Sequence, residues 1–282
     1  QILRALQEGH RVCIFPEGNR SFNGVTMDME TSIAKVAKKS KAKLVTFRIE
    51  GGYLTQPRWS TTTRRGKTRG RLINVYTPEQ LAEMSDAQIS EAIITDLYED
   101  AYKTQEREHI RFKGKDLALG IESTLFVCPK CGEIGKLHSK EDRFYCDCGF
   151  SSVYDEYGYL TDAEGKTYTL TELDLMQQQA LKDRLGNWKE DHPLFEDYVT
   201  IYRIGANHEL IGTEEGSMKA YTDHLECGGE CLYYADMDGM AIYSRNAMII
   251  HHPSVEGHLE VKSGIGFNAL KYLYLYHIVK EK

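Results

Sequence analysis

Phe15-Pro16-Glu17-Gly18-Asn19-Arg20-Ser21, with Gly24 three residues on, is the stretch on which the reading of this chain turns. Just before it, Val12, Cys13, Ile14 and Phe15 form a continuous apolar run broken by Pro16, which predicts a short buried strand over 11–15. Further upstream, Ile2, Leu3 and Leu6 fall at helical spacing, and Gly9 suits the left-handed position after a helix. Downstream, residues 30–40 carry Ile33, Val36 and Ala37 on one helical face, and Lys43 to Glu50 reads as a second strand ahead of Gly51-Gly52. Strand, loop, helix, strand predicts an α/β sheet with crossover helices, where ligands bind beyond the carboxyl ends of strands. The loop opening at Pro16 is therefore expected to be a place for chemistry.

Arg71 to Tyr76 reads as a third strand, Pro78 opens a helical turn, and Ser85 with Gln88 makes a capping box. Ile89, Ile93, Leu97 and Ala101 recur every four residues, predicting one long amphipathic helix that closes the domain near Glu108. A cysteine module follows, and a third region starts near Asp155. In it, residues 170–188 are helical, and short β-rich runs follow (199–204, 217–221, 241–243, 247–251, 258–261), with a closing helix over 267–279. This pattern resembles a small pleckstrin-homology-like barrel. The expected domains are 1–110, 125–154 and 155–282.

The loop combines what a phosphomonoester site needs. Gly18 lets backbone approach a ligand, Arg20 offers a planar fork of donors matched to phosphate oxygens, and Ser21 adds a hydroxyl. Glu17 either bonds backbone amides to hold the loop or accepts from a substrate hydroxyl. The run resembles the third motif of the lysophosphatidic-acid acyltransferase family, Phe-Pro-Glu-Gly-Thr-Arg-Ser, differing only at Asn19. The resemblance extends from about Leu3 to Arg107.

It implies the carboxyl-terminal part of a glycerolipid acyltransferase domain. The implied reaction moves a fatty acyl group from acyl-CoA or acyl-carrier-protein to the sn-2 hydroxyl of 1-acylglycerol 3-phosphate. In that scheme Arg20 and Ser21 hold the phosphate, while Glu17 and Gly18 shape the acceptor site. Family members carry a His-x4-Asp general base before this motif, but five residues after His10 stands Phe15. The chain opens at Gln1 in a helical pattern without a leader, so it is read as a fragment whose base lies upstream and which is inactive as it stands. His192 and Asp197 satisfy His-x4-Asp, yet they follow the loop and sit beyond the cysteine module, and are taken as a decoy.

Cys128-Pro129-Lys130-Cys131-Gly132 and Cys146-Asp147-Cys148-Gly149 form two knuckles separated by fourteen residues. Four thiolates so spaced fit a closed, structural zinc ribbon, with His138 as the reserve ligand because the second pair has one intervening residue. Cys13, Cys227 and Cys231 are scattered, so zinc in a reducing compartment is expected in place of a disulfide framework.

Apolar residues make up 41% of the 282 and charged residues 27%, the composition of a globular protein. The formal charge of −7 hides an asymmetry: residues 35–71 hold twelve Lys or Arg and only Glu50 as an acid. Lys38, Lys39, Lys41, Arg64, Arg65, Lys67, Arg69 and Arg71 are therefore expected to meet anionic headgroups or an acidic acyl carrier, with Trp59 and Tyr53 as interfacial anchors or core residues. Acids crowd the cysteine module, which argues against nucleic acid. No window approaches the roughly 18 apolar residues of a spanning helix. Peripheral association with the cytoplasmic side of a membrane is the expected localisation. The competing expectation is a non-catalytic membrane- or protein-docking module with a structural zinc site.

Overall fold

The computed structural model describes residues 2–29, 31–188, 192–264 and 266–280, which fall into two compact units. The first comprises 1–58, 63–114 and 156–158; the second comprises 59–62, 115–155 and 159–282.

In the first unit, α1 (Ile2–Gln7) ends at Gly9, whose φ of +86° is the left-handed turn read from the sequence. The strand expected over 11–15 does not form. Val12, Ile14 and Phe15 are exposed, and the run crosses to Pro16 without regular hydrogen bonding. An apolar run becomes a buried strand only where neighbouring strands take up its amides and carbonyls. None does so among the described residues, so the predicted crossover unit is absent too. α2 (Ser32–Ser40) and β1 (Leu44–Glu50) form as read, residue 30 lying outside the described residues. The one-turn α3 (Gly52–Thr55) follows, and β2 (Arg69–Tyr76) pairs with β1 antiparallel, not parallel.

One face of this two-stranded sheet packs on α2, α4 (Pro78–Glu83) and α5 (Asp86–Leu97) through Ala34, Leu81, Ile89 and Ile93. The other face presents Val45, Phe47, Ile49 and Leu72 to solvent. Capping boxes at Thr77/Gln80 and Ser85/Gln88 start α4 and α5. The single long helix expected to Glu108 is instead two. α5 stops at Leu97, and α6 (Ala101–Glu108) restarts where the Asp100 carboxylate accepts from the Tyr102 and Lys103 amides. The break serves a pairing elsewhere: Thr26 N–H donates to Glu99 O at 2.9 Å and Ala101 N–H to Gly24 O at 2.9 Å. The fourfold apolar period runs straight through this junction, so periodicity alone could not show it.

The second unit contains a five-stranded antiparallel sheet: β3 (Leu137–Lys140), β4 (Arg143–Cys146), β5 (Ser151–Tyr154), β6 (Leu160–Asp162) and β7 (Thr167–Tyr168). The 18-residue α7 (Leu170–Asn187) follows, started by a Thr169/Glu172 capping box. A seven-stranded antiparallel sheet comes next: β8 (Phe195–Ile204), β9 (Leu210–Ala220), β10 (His224–Cys227), β11 (Glu230–Tyr233), β12 (Gly239–Ser244), β13 (Ala247–His251) and β14 (His258–Lys262). Its order is β11-β10-β9-β8-β14-β13-β12, so two meanders join where β14 pairs with β8. α8 (Ala269–Lys280) closes the unit. The expected strands and closing helix are present, and β10 and β11 are additional. Within this unit Lys271 Nζ sits 2.6 Å from Asp197 Oδ2, and the Tyr272 hydroxyl donates to the same oxygen at 2.6 Å. Burial drives the Lys271 pKa down against that carboxylate.

Candidate functional site

The loop is built by local chemistry. Gly18 N–H donates to Phe15 O at 3.1 Å, closing a turn whose second position is Pro16 and whose last is Gly18, the residues that such a turn prefers. Gly18 has φ +66° and open space where a Cβ would stand, so its glycine answers to backbone conformation alone. Ser21 Oγ accepts from the Gly24 amide at 2.8 Å and lies 3.4 Å from Asn23 Oδ1, which accepts from the Val25 amide at 3.1 Å. Glu17 Oε2 accepts from the Met27 amide at 2.8 Å, tying the start of the loop to its end. This bond to a backbone amide is the first of the two roles foreseen for Glu17, and burial raises its pKa while the Met27 bond opposes.

Arg20 is exposed and donates only a long 3.3 Å bond, to Gln56 O. No carboxylate pairs with it among the described residues. The residue that sequence reading missed is Arg58, two positions past Gln56. Its Nη1 donates a short hydrogen bond to Asn19 Oδ1, and its guanidinium lies 4.6 Å from the centre of the Phe22 ring. Burial, and then the charge of Arg20, lower its pKa to about 10. The only available signal was its membership of the basic stretch.

That stretch is less uniformly available than its charge suggests. Arg69 pairs with Glu108 at 2.6 Å, Arg71 lies 3.2 Å from Glu50, Lys38 donates to Met84 O at 2.6 Å, and Arg64 is buried. Lys39, Lys41, Arg65 and Lys67 remain exposed. Trp59 is a core residue, wholly buried with Tyr154 edge-on to it, and not an interfacial anchor. Tyr53 is half-buried, edge-on to Tyr102. Of the His192/Asp197 pair, Asp197 is held by Lys271 and Tyr272.

In the second unit Cys128, Cys131, Cys146 and Cys148 converge, all four sulfurs lying within 4.8 Å of one another. The Cys128–Cys148 and Cys131–Cys146 separations are 3.7 and 3.8 Å. Tetrahedral zinc at about 2.3 Å from each sulfur sets them about 3.8 Å apart, so the set fits the ion. Each knuckle turns at a left-handed glycine: Gly132 N–H donates to Cys128 O at 2.9 Å, and Gly149 N–H to Cys146 O at 3.0 Å. The missing residue of the second knuckle is thus absorbed by a tighter turn. His138 is not needed, and its Nε2 lies 3.0 Å from Asp147 Oδ1. A buried support escaped sequence reading: Gln177 on α7 accepts from the Phe126 amide at 2.8 Å and donates to Thr124 O at 3.0 Å, fixing the segment that delivers Cys128. Cys227 and Cys231 stay apart from this cluster as free thiols.

No helix among the described residues is long and apolar enough to cross a membrane. No solved structure matches the chain. Residues 1–50, which carry α1, the loop, α2 and β1, match the protein-family model described as Acyltransferase, and acyl transfer is the chemistry this match supports.

Proposed function

We propose that the loop over 15–24 holds the phosphate of a glycerol phosphate lipid during acylation of its free hydroxyl. The substrate is 1-acylglycerol 3-phosphate and the donor a thioester, acyl-CoA or acyl-carrier-protein. The acceptor oxygen attacks the thioester carbonyl, the C–O bond forms as the C–S bond breaks, and the carrier thiol leaves with a proton. Arg20 carries this reading: a guanidinium exposed beside Ser21, held by one carbonyl and unpaired with acid among the described residues. Such a fork matches phosphate oxygens in geometry and charge. In this reading the loop binds and orients, with Glu17 Oε2 holding the Met27 amide, and does not itself remove the hydroxyl proton. That task falls to a group outside the loop.

A zinc ion on the four cysteines would contribute folding free energy, since four protein thiolates leave no open position for catalysis. Lys39, Lys41, Arg65 and Lys67 suit the surface of an anionic bilayer, each near-surface charge contributing about 1 kcal/mol. Glu17's commitment to the loop also favours a second reading, a docking module that binds phosphate-bearing lipid without turning it over.

Acyl transfer to 1-oleoylglycerol 3-phosphate by the protein and by its Arg20→Ala variant separates these. A raised KM with the acceptor supports the enzyme. Binding without turnover, lost in Arg20→Ala, supports docking. Saturation unchanged by Arg20→Ala removes the phosphate from this loop altogether.

A further inference from the structure

The face of the β1–β2 sheet that carries no helix is a continuous apolar plate. Val45 pairs with Val75 and Phe47 with Leu72 across the strands, and Ile49 continues the row opposite Gly70. All five apolar side chains are between 46% and 59% exposed, and strand alternation directs them to one side. Gly70 completes the plate by having no side chain: a Cβ there would stand 2.4 Å from a Phe47 ring atom, so the ring lies across the glycine and widens the surface. Single exposed apolar side chains are ordinary, but five in one plate mark a contact surface.

Each end of the plate is cationic. Lys41 and Lys43 lead into β1, while Arg65 and Lys67 lead into β2; the strands are antiparallel, so the two pairs stand at opposite ends. All four are exposed, and Lys41, Arg65 and Lys67 have no carboxylate within ion-pair distance among the described residues. Glu50 is the only acid between 35 and 71, and it is buried 3.2 Å from Arg71. Because both ends are cationic, a second copy laid on the plate meets like charge in either direction. Five side chains also leave on the order of 400 Å² open, half of the ~800 Å² that each partner of a stable protein pair buries. A lipid surface sets no such threshold, since apolar insertion and attraction to anionic headgroups add to one another.

We propose that this open face docks on an anionic bilayer, its five apolar side chains entering the boundary between headgroups and acyl chains while the flanking lysines and Arg65 meet lipid phosphates. The inference rests on the acyltransferase reading only for the use made of that surface, as the source of a lipid acceptor. The chain leaving β1 runs through α3 to Gln56, whose carbonyl accepts from Arg20, so the loop over 15–24 adjoins the end of the plate where β1 finishes.

The test uses the 282-residue protein with vesicles of phosphatidylcholine alone and of phosphatidylcholine mixed with phosphatidylglycerol. Co-sedimentation should show binding at least about 10-fold tighter to the anionic vesicles, weakening as salt is raised. Phe47→Ser/Leu72→Ser should weaken it about 10-fold or more with the cations intact, and Lys43→Glu/Lys67→Glu should abolish the preference for phosphatidylglycerol. Leu175→Ser, at a similarly exposed apolar position on α7, should change nothing. Phe47→Trp should add emission that shifts to the blue on anionic vesicles, beyond any shift of the unsubstituted protein.

Undiminished vesicle binding by Phe47→Ser/Leu72→Ser overturns the proposal. So does a dimer in analytical ultracentrifugation that these substitutions dissociate, since a second copy then covers the face, and so does failure of the unsubstituted protein to bind either vesicle. If the double variant loses its fold by circular dichroism, Phe47→Trp decides, and unshifted emission counts against docking. Arg20→Ala keeps the two readings apart: it should retain vesicle binding while losing sn-glycerol 3-phosphate by calorimetry. Glycerol 3-phosphate binding unaffected by Arg20→Ala, with vesicle binding still dependent on Phe47 and Leu72, removes the phosphate loop and leaves the docking face; the reverse pattern removes the face and leaves the loop.

Discussion

Ser21 Oγ lies 2.8 Å from the Gly24 amide and accepts its hydrogen, so the serine beside Arg20 also closes the turn that follows it. Its own hydrogen is donated to Asn23 Oδ1 over a long 3.4 Å, a weak bond for a ligand to replace. Ser21→Ala should therefore act twice: about 1 kcal/mol of stability lost with the turn bond, and weaker glycerol 3-phosphate binding. Urea unfolding and calorimetry on the same preparation measure the two effects. Unchanged stability would mean that the turn holds without the hydroxyl.

Gly18 and Gly24 both have positive φ, yet their surroundings differ. A Cβ on Gly18 meets nothing, whereas one on Gly24 stands 2.9 Å from a Tyr102 ring atom and 3.0 Å from a Tyr53 ring atom. Gly18→Ala is expected to cost about 1 kcal/mol, the left-handed penalty alone. Gly24→Ala should cost about 3 kcal/mol, because two half-fixed rings must also move. Thermal denaturation of the pair gives the difference directly.

The protein should carry about one zinc per chain, released on modifying the thiols and detected colorimetrically. Cys146→Ser should lose the metal, and chelation should lower the melting temperature of the second unit. His138→Ala should keep it, since that ring faces Asp147 and the four sulfurs suffice. Metal lost in His138→Ala but retained in Cys146→Ser would reverse the ligand set.

Lys271 is 4% exposed and depends on Asp197. Asp197→Ala strands that ammonium and should cost about 3 kcal/mol or more, whereas replacing both residues by Leu and Met should restore much of the loss. Tyr272 keeps its second bond, to Met218 O at 3.2 Å, in either case. Chemical denaturation of the single and double variants checks the sign.

How much of this was legible depended on whether the signal was local. α2, β1, β2, the Ser85 and Thr169 starts and the cysteine knuckles declare themselves within a few residues, because caps, glycines and thiolate spacing act at short range. The run over 11–15 looked like a buried strand because an apolar sequence states a preference for neighbours without stating that they are there. Ile89, Ile93, Leu97 and Ala101 kept one period across two helices, since the interruption is caused by Thr26 and Gly24, some seventy residues earlier. Arg58 was hidden among eleven other cations, and only its contacts with Asn19 and Phe22 set it apart. β10 and β11 are four residues each and interrupted by charge, below what alternation can reveal.

The bonds between Thr26 and Glu99 make the loop over 15–24 a product of chain closure and not of its own sequence. Thr26 Oγ1 accepts from the Glu99 amide at 2.8 Å while its backbone donates to the Glu99 carbonyl at 2.9 Å, a clasp spanning 73 residues. A peptide carrying Phe15 to Met27 alone would lack its fastening and forfeit the arrangement. During folding, the loop should gain order late, after α5 has docked and delivered its end, because a contact so distant along the chain closes slowly.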